Sequence, residues 1–308
     1  MKQTIFTLLL LSTLGLMSCR KTQVDKDIKQ YDQEQIDSYI STNGITGMQR
    51  DLSGGDTTGI YYKIILPGNG VEFKYTDSIS FVYTLKSFDG LYNSTDTIVN
   101  HYSGYVGHMS FTPLLSNGLQ LIVRNVLKKG GSIRVLIPSR LAYGTKGAGS
   151  GSSSTVNTKI AGNQCLDYYI HAINDQKAYD DDLLIKYIAA NSLSGYQKTP
   201  SGLYYKINTA GTGTVPITDN TTISITYTGT LLNGTVFDSY ATTDNTGTSF
   251  EIPDMILGVQ EGAKNYCTTG SNVSFLIPSR LAYGNKGTSK TPANSCLRFD
   301  MVVVSTTP

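Results

Sequence analysis

The 308-residue chain has no tryptophan, three histidines, four cysteines and nine prolines, and only 16% of its residues are charged. Lysine and arginine number 25 against 23 acidic residues, a formal net charge of +2. So balanced a charge excludes the clustered basic surface that grips nucleic acid. His101, His108 and His171 are too few and too scattered to make a metal site of ordinary ligand spacing. The glycine-rich stretch GAGSGSSS (147–154) has no Gly-Lys-Ser/Thr ending and no helix signal after it, so it is read as a flexible insertion and not as a phosphate loop. No Ser-His-Asp or Cys-His nucleophile pattern stands out. What is abundant is 31 glycines, 21 tyrosines and 9 phenylalanines with 39% hydrophobic residues. That composition excludes a disordered chain and favours β-structure with many turns, and the length suits two domains.

One long apolar run exists, Ile5 to Met17, behind a single charge at Lys2. A membrane-spanning helix needs about 20 apolar residues, so the run fits the hydrophobic region of a secretory signal instead. It ends in Leu16-Met17-Ser18-Cys19, which resembles a bacterial lipobox. The expectation is a signal peptide over 1–18, lipidation at Cys19, a polar tether over 19–30, and anchoring to the bacterial cell envelope on its periplasmic face or at the cell surface. An exported chain can keep disulfides. The remaining Cys165, Cys267 and Cys296 are odd in number; buried free thiols are the default reading, and a Cys267–Cys296 pair stays open.

The chain is written twice. YDQEQIDSYISTN from Tyr31 matches YDDDLLIKYIAAN from Tyr179, and IPSRLAYG occurs at Ile137–Gly144 and Ile277–Gly284. Order is kept while the offset drifts from 148 to 131 residues, as in a duplicated domain with loop insertions. Each copy reads as an opening amphipathic helix, with Asp180–Asp182 suiting its N-terminal end in the second copy. A Tyr-Tyr-Lys-Ile strand follows, then an alternating strand (Ile223, Ile225, Tyr227), a short helix near Met255–Asn265 and two closing strands. The predicted domains are 31–176 and 177–308.

At Tyr227-Thr-Gly-Thr-Leu-Leu-Asn-Gly-Thr-Val-Phe-Asp-Ser239 the second copy resembles the FKBP-type peptidyl-prolyl isomerases. Gly258, Glu261-Gly262, Ile277-Pro278, Ala282-Tyr283-Gly284, Gly287 and Leu297–Asp300 continue the likeness over about the last hundred residues. The resemblance implies an α+β fold: two tandem copies of a curved antiparallel sheet wrapped around a short helix, each copy preceded by a short N-terminal helix. It implies an isomerase that assists folding of exported proteins, acting on proline-containing unfolded or exported polypeptides. It also implies a pocket built from Tyr227, Phe237, Asp238, Ile256, Val259, Tyr283 and Phe299, with Phe250 and Met255 contacting substrate. Tyr283 would donate to the substrate carbonyl, Ile256 would offer a backbone N–H, and Val259 would form the floor. Rotation about X–Pro breaks no bond, so neither metal nor cofactor is required; the site must bind the twisted imide best.

The missing tryptophan matters here, because family members usually carry it at the floor position held by Val259. That implies a wider, shallower pocket and lowered activity. The first copy departs further. Asn93 and Ser94 replace Phe-Asp, Leu119 stands at the floor and Ile122 replaces the Gly of Glu-Gly, while Tyr143 and Tyr168 remain at the places of Tyr283 and Phe299. The first copy is therefore expected to be catalytically silent. The alternative for the whole chain is a non-catalytic FKBP-like chaperone or protein-binding lipoprotein.

Overall fold

The computed structural model of the protein describes residues 26–152, 156–241 and 246–307. The signal peptide, Cys19, most of the tether and Ser153–Ser154 lie outside the described residues. The described chain is a mixture of helices and antiparallel sheet, and it contains two seven-stranded sheets with the same strand order.

In the second copy the order across the sheet is Gln197–Lys198, Tyr204–Thr209, Asn272–Ile277, Leu297–Thr307, Thr222–Leu231, Val236–Tyr240, with Thr248–Glu251 also pairing to Thr222–Leu231. In the first copy it is Gln49–Arg50, Tyr61–Leu66, Ser132–Ile137, Leu166–Ala172, Ser78–Ser87, Asn93–Ser94, with His101–Tyr105 on Ser78–Ser87. Alternating side chains give each sheet two apolar faces. One face takes the short helix: Asn117–Asn125 in the first copy and Leu257–Tyr266 in the second, two residues later than the predicted start. Adjacent residues therefore serve different cores. Phe275 packs with Val259 and Ala263 under the short helix, while Leu276 packs with Leu184 on the other side.

That other face is covered by the opening helices, Ile28–Thr42 and Gln176–Ala190. Leu184 is fully buried, with Leu183, Tyr187 and Ile188 packed around it, so the helical spacing read from the sequence is borne out. Asp180–Asp182 are not at the helix start, because Asp175 is the N-cap and accepts from the Ala178 N–H. Asp180 is instead a tertiary latch. Its Oδ2 accepts from the Ser279 N–H (2.9 Å) and Oγ (2.7 Å), and its Oδ1 from Gln176 Nε2 (2.7 Å). Asp32 repeats the latch in the first copy, accepting from Ser139 Oγ at 2.6 Å and from Arg140. A buried carboxylate is tolerated only with such partners.

Cys165, Cys267 and Cys296 are free, buried thiols. The glycine-rich insertion is partly ordered: Ala148–Gly149 pairs with Lys159–Ile160 as a small two-stranded sheet. Local composition favoured a loop, but backbone pairing to a segment ten residues on won.

Candidate functional site

The site residues come from five neighbouring elements of the second copy. The hairpin Thr222–Leu231/Val236–Tyr240 turns at Asn233-Gly234. Gly234 there has φ 88°, which Gly adopts without strain, and Asn233 Oδ1 accepts from the Thr235 N–H at 3.0 Å. A register shift between Gly229 and Thr230 bends this hairpin. Gly229 also makes room, because a Cβ there would lie 2.5 Å from the Phe237 ring. The strand Thr248–Glu251 brings Phe250. The turn before the short helix brings Met255 and Ile256, fixed by Gln260 Nε2 donating to the Met255 carbonyl at 2.7 Å.

A cavity of about 140 Å³ results, lined by Tyr227, Asp238, Phe250, Asp254, Met255, Ile256, Val259, Tyr283 and Phe299. Eight of these nine were read from the sequence; Asp254 was not, since one acidic residue in a turn carries no distinguishing signal. Phe237 is the exception in the other direction. It is 6% exposed and packs edge-on behind Tyr283, with ring centroids 6.2 Å apart at 88°, so it supports the pocket from the core. A liquid water occupies about 30 Å³, so the space suits about five heavy atoms, a pyrrolidine ring's worth. Val259 lines it together with Tyr227, Phe250 and Phe299. Tyr227 stacks on Phe299 (5.0 Å, 14°) and meets Phe250 edge-on (5.9 Å, 65°).

The polar groups sit at the rim. Tyr227 Oη donates to Asp238 Oδ2 at 2.9 Å, and Asp238 Oδ1 accepts from the Ser239 N–H at 3.0 Å. Burial, then the hydrogen bond to Asp238 and its negative charge, pushes the Tyr227 phenol far above its ordinary range. Burial first and the Asp238 charge second also raise Tyr283. Both phenols are therefore proton donors at any physiological pH. Tyr283 is 37% exposed, so its hydroxyl can reach a bound chain. Ile256 is the N-cap of the short helix, which leaves its N–H ahead of the helical ladder.

The corresponding place in the first copy is built from different side chains. Pairing confirms the alignment, since Leu85 faces Ser94 as Gly229 faces Asp238. Leu85 is fully buried where the second copy leaves space for the Phe237 ring. Tyr168, at the place of Phe299, is fully buried; its hydroxyl donates to the Leu114 carbonyl at 2.8 Å and lies 3.5 Å from that of Tyr143. Ser94 Oγ bonds Asn100 Oδ1 at 3.1 Å and does not orient the neighbouring Tyr83. Burial pushes Tyr83 and Tyr143 up to about 12. Among the described residues, no group of three or more His, Cys, Asp or Glu could hold a metal ion.

Residues 213–304 match the FKBP-type peptidyl-prolyl cis-trans isomerase family. The chain is 42% identical over 112 residues to the FKBP-type peptidyl-prolyl cis-trans isomerase FkpA of Buchnera aphidicola subsp. Acyrthosiphon pisum, covering 36% of this chain and 45% of the relative. It is 36% identical over 135 residues to FkpA of Aeromonas hydrophila, covering 44% of this chain and 47% of the relative. The chain thus spans less than half the length of these curated relatives. Among solved structures, FkpA from Escherichia coli aligns at 32% identity over 43% of this chain and 61% of that chain, with a TM-score of 0.38.

Proposed function

We propose that the protein is a peptidyl-prolyl cis-trans isomerase that assists the folding of exported proteins, with the chemistry in the second copy. The reading rests most on one observation: a proline-sized aromatic cavity with phenol donors at its rim. Rotation about X–Pro faces a barrier of ~18–20 kcal/mol from amide resonance. The twisted imide has lost that resonance and its charge separation, so an apolar site favours it over either planar form. In this reading the prolyl ring sits on Val259 between Tyr227, Phe250 and Phe299. Tyr283 donates to the carbonyl, the Ile256 N–H holds the chain beyond the proline, and Met255 contacts it. Asp238 fixes the Tyr227 hydroxyl. The first copy, with Tyr168 filling its own site, is silent.

The tandem organisation, 31–176 and 177–308 behind a signal peptide over 1–18 and a tether over 19–30, belongs to the same proposal. So does anchoring to the cell envelope through lipid on Cys19. A relative is named outer membrane protein MIP of Legionella longbeachae, at 42% identity over 101 residues, 32% of this chain. No helix among the described residues is long and apolar enough to cross a membrane. A multiply acylated cysteine anchors stably without one.

The test is the cis-to-trans rate of an X–Pro peptide with the full mature chain. Acceleration that falls in Asp238→Ala is expected. A rate equal to the uncatalysed one overturns the enzyme reading and leaves a binding module.

A further inference from the structure

The first copy touches the second at two of the elements that carry its pocket. Ser80 Oγ is the hub of the first contact. Asn294 Nδ2 donates to it at 3.2 Å, and it donates to Gln176 Oε1 at 3.2 Å. Gln176 Nε2 in turn donates to Asp180, whose carboxylate accepts from Ser279. The Asn294 N–H donates to the Gly284 carbonyl at 2.8 Å, directly after Tyr283. Ser80 is therefore linked to both ends of the segment 279–294, which presents Tyr283 between them. A hydroxyl has one proton and two lone pairs, so His101 Nε2, 2.9 Å away, completes its set as a donor.

The second contact is on the hairpin. Asp96 Oδ2 accepts from Asn233 Nδ2 at 2.6 Å, at the turn that leads to Phe237 and Asp238. Asp96 Oδ1 accepts from the Ile98 N–H at 2.9 Å, which fixes the loop of the first copy. Ile98 packs against both apolar clusters of the second copy, the one containing Leu231 and Phe237 and the one containing Leu232 and Leu184. A partly buried aliphatic side chain from one repeat, packed against two apolar clusters of the other, is more than a solvent-screened surface contact.

We propose that the first copy, silent itself, is an intramolecular brace for the second copy's site: Ser80 holds the Tyr283 segment, and Asp96 with Ile98 holds the Phe237–Asp238 hairpin. These are positioning residues, and the proposal rests on the isomerase reading for its effect on rate. Positioning matters because a shift of about 1 Å in a site can lower a rate about a hundredfold. The polar contacts fall at Asn294 and at the hairpin turn, and neither engages Tyr283 Oη or Asp238.

The experiment uses the full mature chain with Ser80→Ala, Ile98→Ser and the conservative Ile98→Val. Amide hydrogen exchange is followed by mass spectrometry, alongside kcat and KM on an X–Pro peptide. Ser80→Ala is expected to speed exchange of 279–294 roughly tenfold, and Ile98→Ser that of 231–240 by a similar factor, each near the loss of one tertiary anchor. Exchange in Ile133–Ile137 is expected to stay unchanged, Ile98→Val to behave as the parent, and kcat to fall more than KM rises. Unchanged exchange at both segments, or uniform acceleration across both copies, overturns the brace. If the parent chain shows no isomerase activity, the isomerase reading fails while the exchange data still decide the brace.

Discussion

The two copies share strand order, a buried aspartate latch on a serine and a glycine that lets the short helix touch the sheet. They differ where ring surface faces the site. The differences come in compensating pairs. Gly229 with Phe237 in the second copy stands against Leu85 with Asn93 in the first. Gly262 with Phe275, where a Cβ would meet the ring at 2.4 Å, stands against Ile122 with Val135. Gly118 and Gly258, each 2.5 Å from an isoleucine methyl if given a Cβ, are kept in both. Volume is conserved within each core while the cavity is not, so packing and pocket are separable properties of this sheet.

The largest effect should come from breaking one pair. Gly229→Leu alone is expected to destabilise the second copy by about 3 kcal/mol in urea melts, since the new side chain collides with Phe237. Adding Phe237→Asn is expected to recover most of that while losing isomerase activity, turning the second copy into the likeness of the first. A neutral Gly229→Leu, or no recovery in the double variant, would break the comparison.

A slightly smaller effect separates the copies by pH. His101 lies where the second copy has Gly247, whose added Cβ would be 2.4 Å from Ser224 Oγ, so only the first copy carries this buried imidazole. Burial lowers its pKa from 6.5 to about 4. The groups facing it are Ser80 and the edge of Tyr179. The unfolded chain binds a proton between those values and the folded chain does not. The stability is therefore complete above pH 6.5 and is lost as pH falls toward 4, by roughly 2.5 kcal/mol at pH 4.5. Urea midpoints at pH 7 and 4.5 for the parent and for His101→Gln should differ by this amount. An identical pH dependence in both chains would remove His101 from the account.

The smallest effect tests the two tyrosines. Tyr283→Phe removes one donor and should lower kcat/KM by about fivefold, near 1 kcal/mol. Tyr143→Phe, its counterpart, should leave the rate unchanged. Equal losses would place activity in both copies.

Much of this comparison was legible in the sequence because repeats, alternation and motif order are local signals. The strands and the short helices follow from them, and the resemblance to the FKBP-type isomerases implied eight of the nine cavity residues. What escaped was pairwise and distant. Nothing near Gly229 announces that its missing Cβ is the space of Phe237, and nothing near Ile98 announces a neighbour at Leu232. Asp180 looked like a helix-start residue because three acids in a row suit a helix dipole. Its real partner, Ser279, lies 99 residues away.

The three free thiols carry a kinetic consequence. Burial raises Cys165 and Cys267 to about 12 and pushes Cys296 well above the ordinary thiol range, with the nearby Asp32 and Asp180 charges adding to the first and last. Thiolate is the reactive form, so each sulfur is inert until its surroundings open. Cys165 packs with Ile36 and Leu136 of the first copy, whereas Cys267 and Cys296 belong to the second. The rate at which a thiol reagent reaches each sulfur therefore reads the opening of the repeat that buries it.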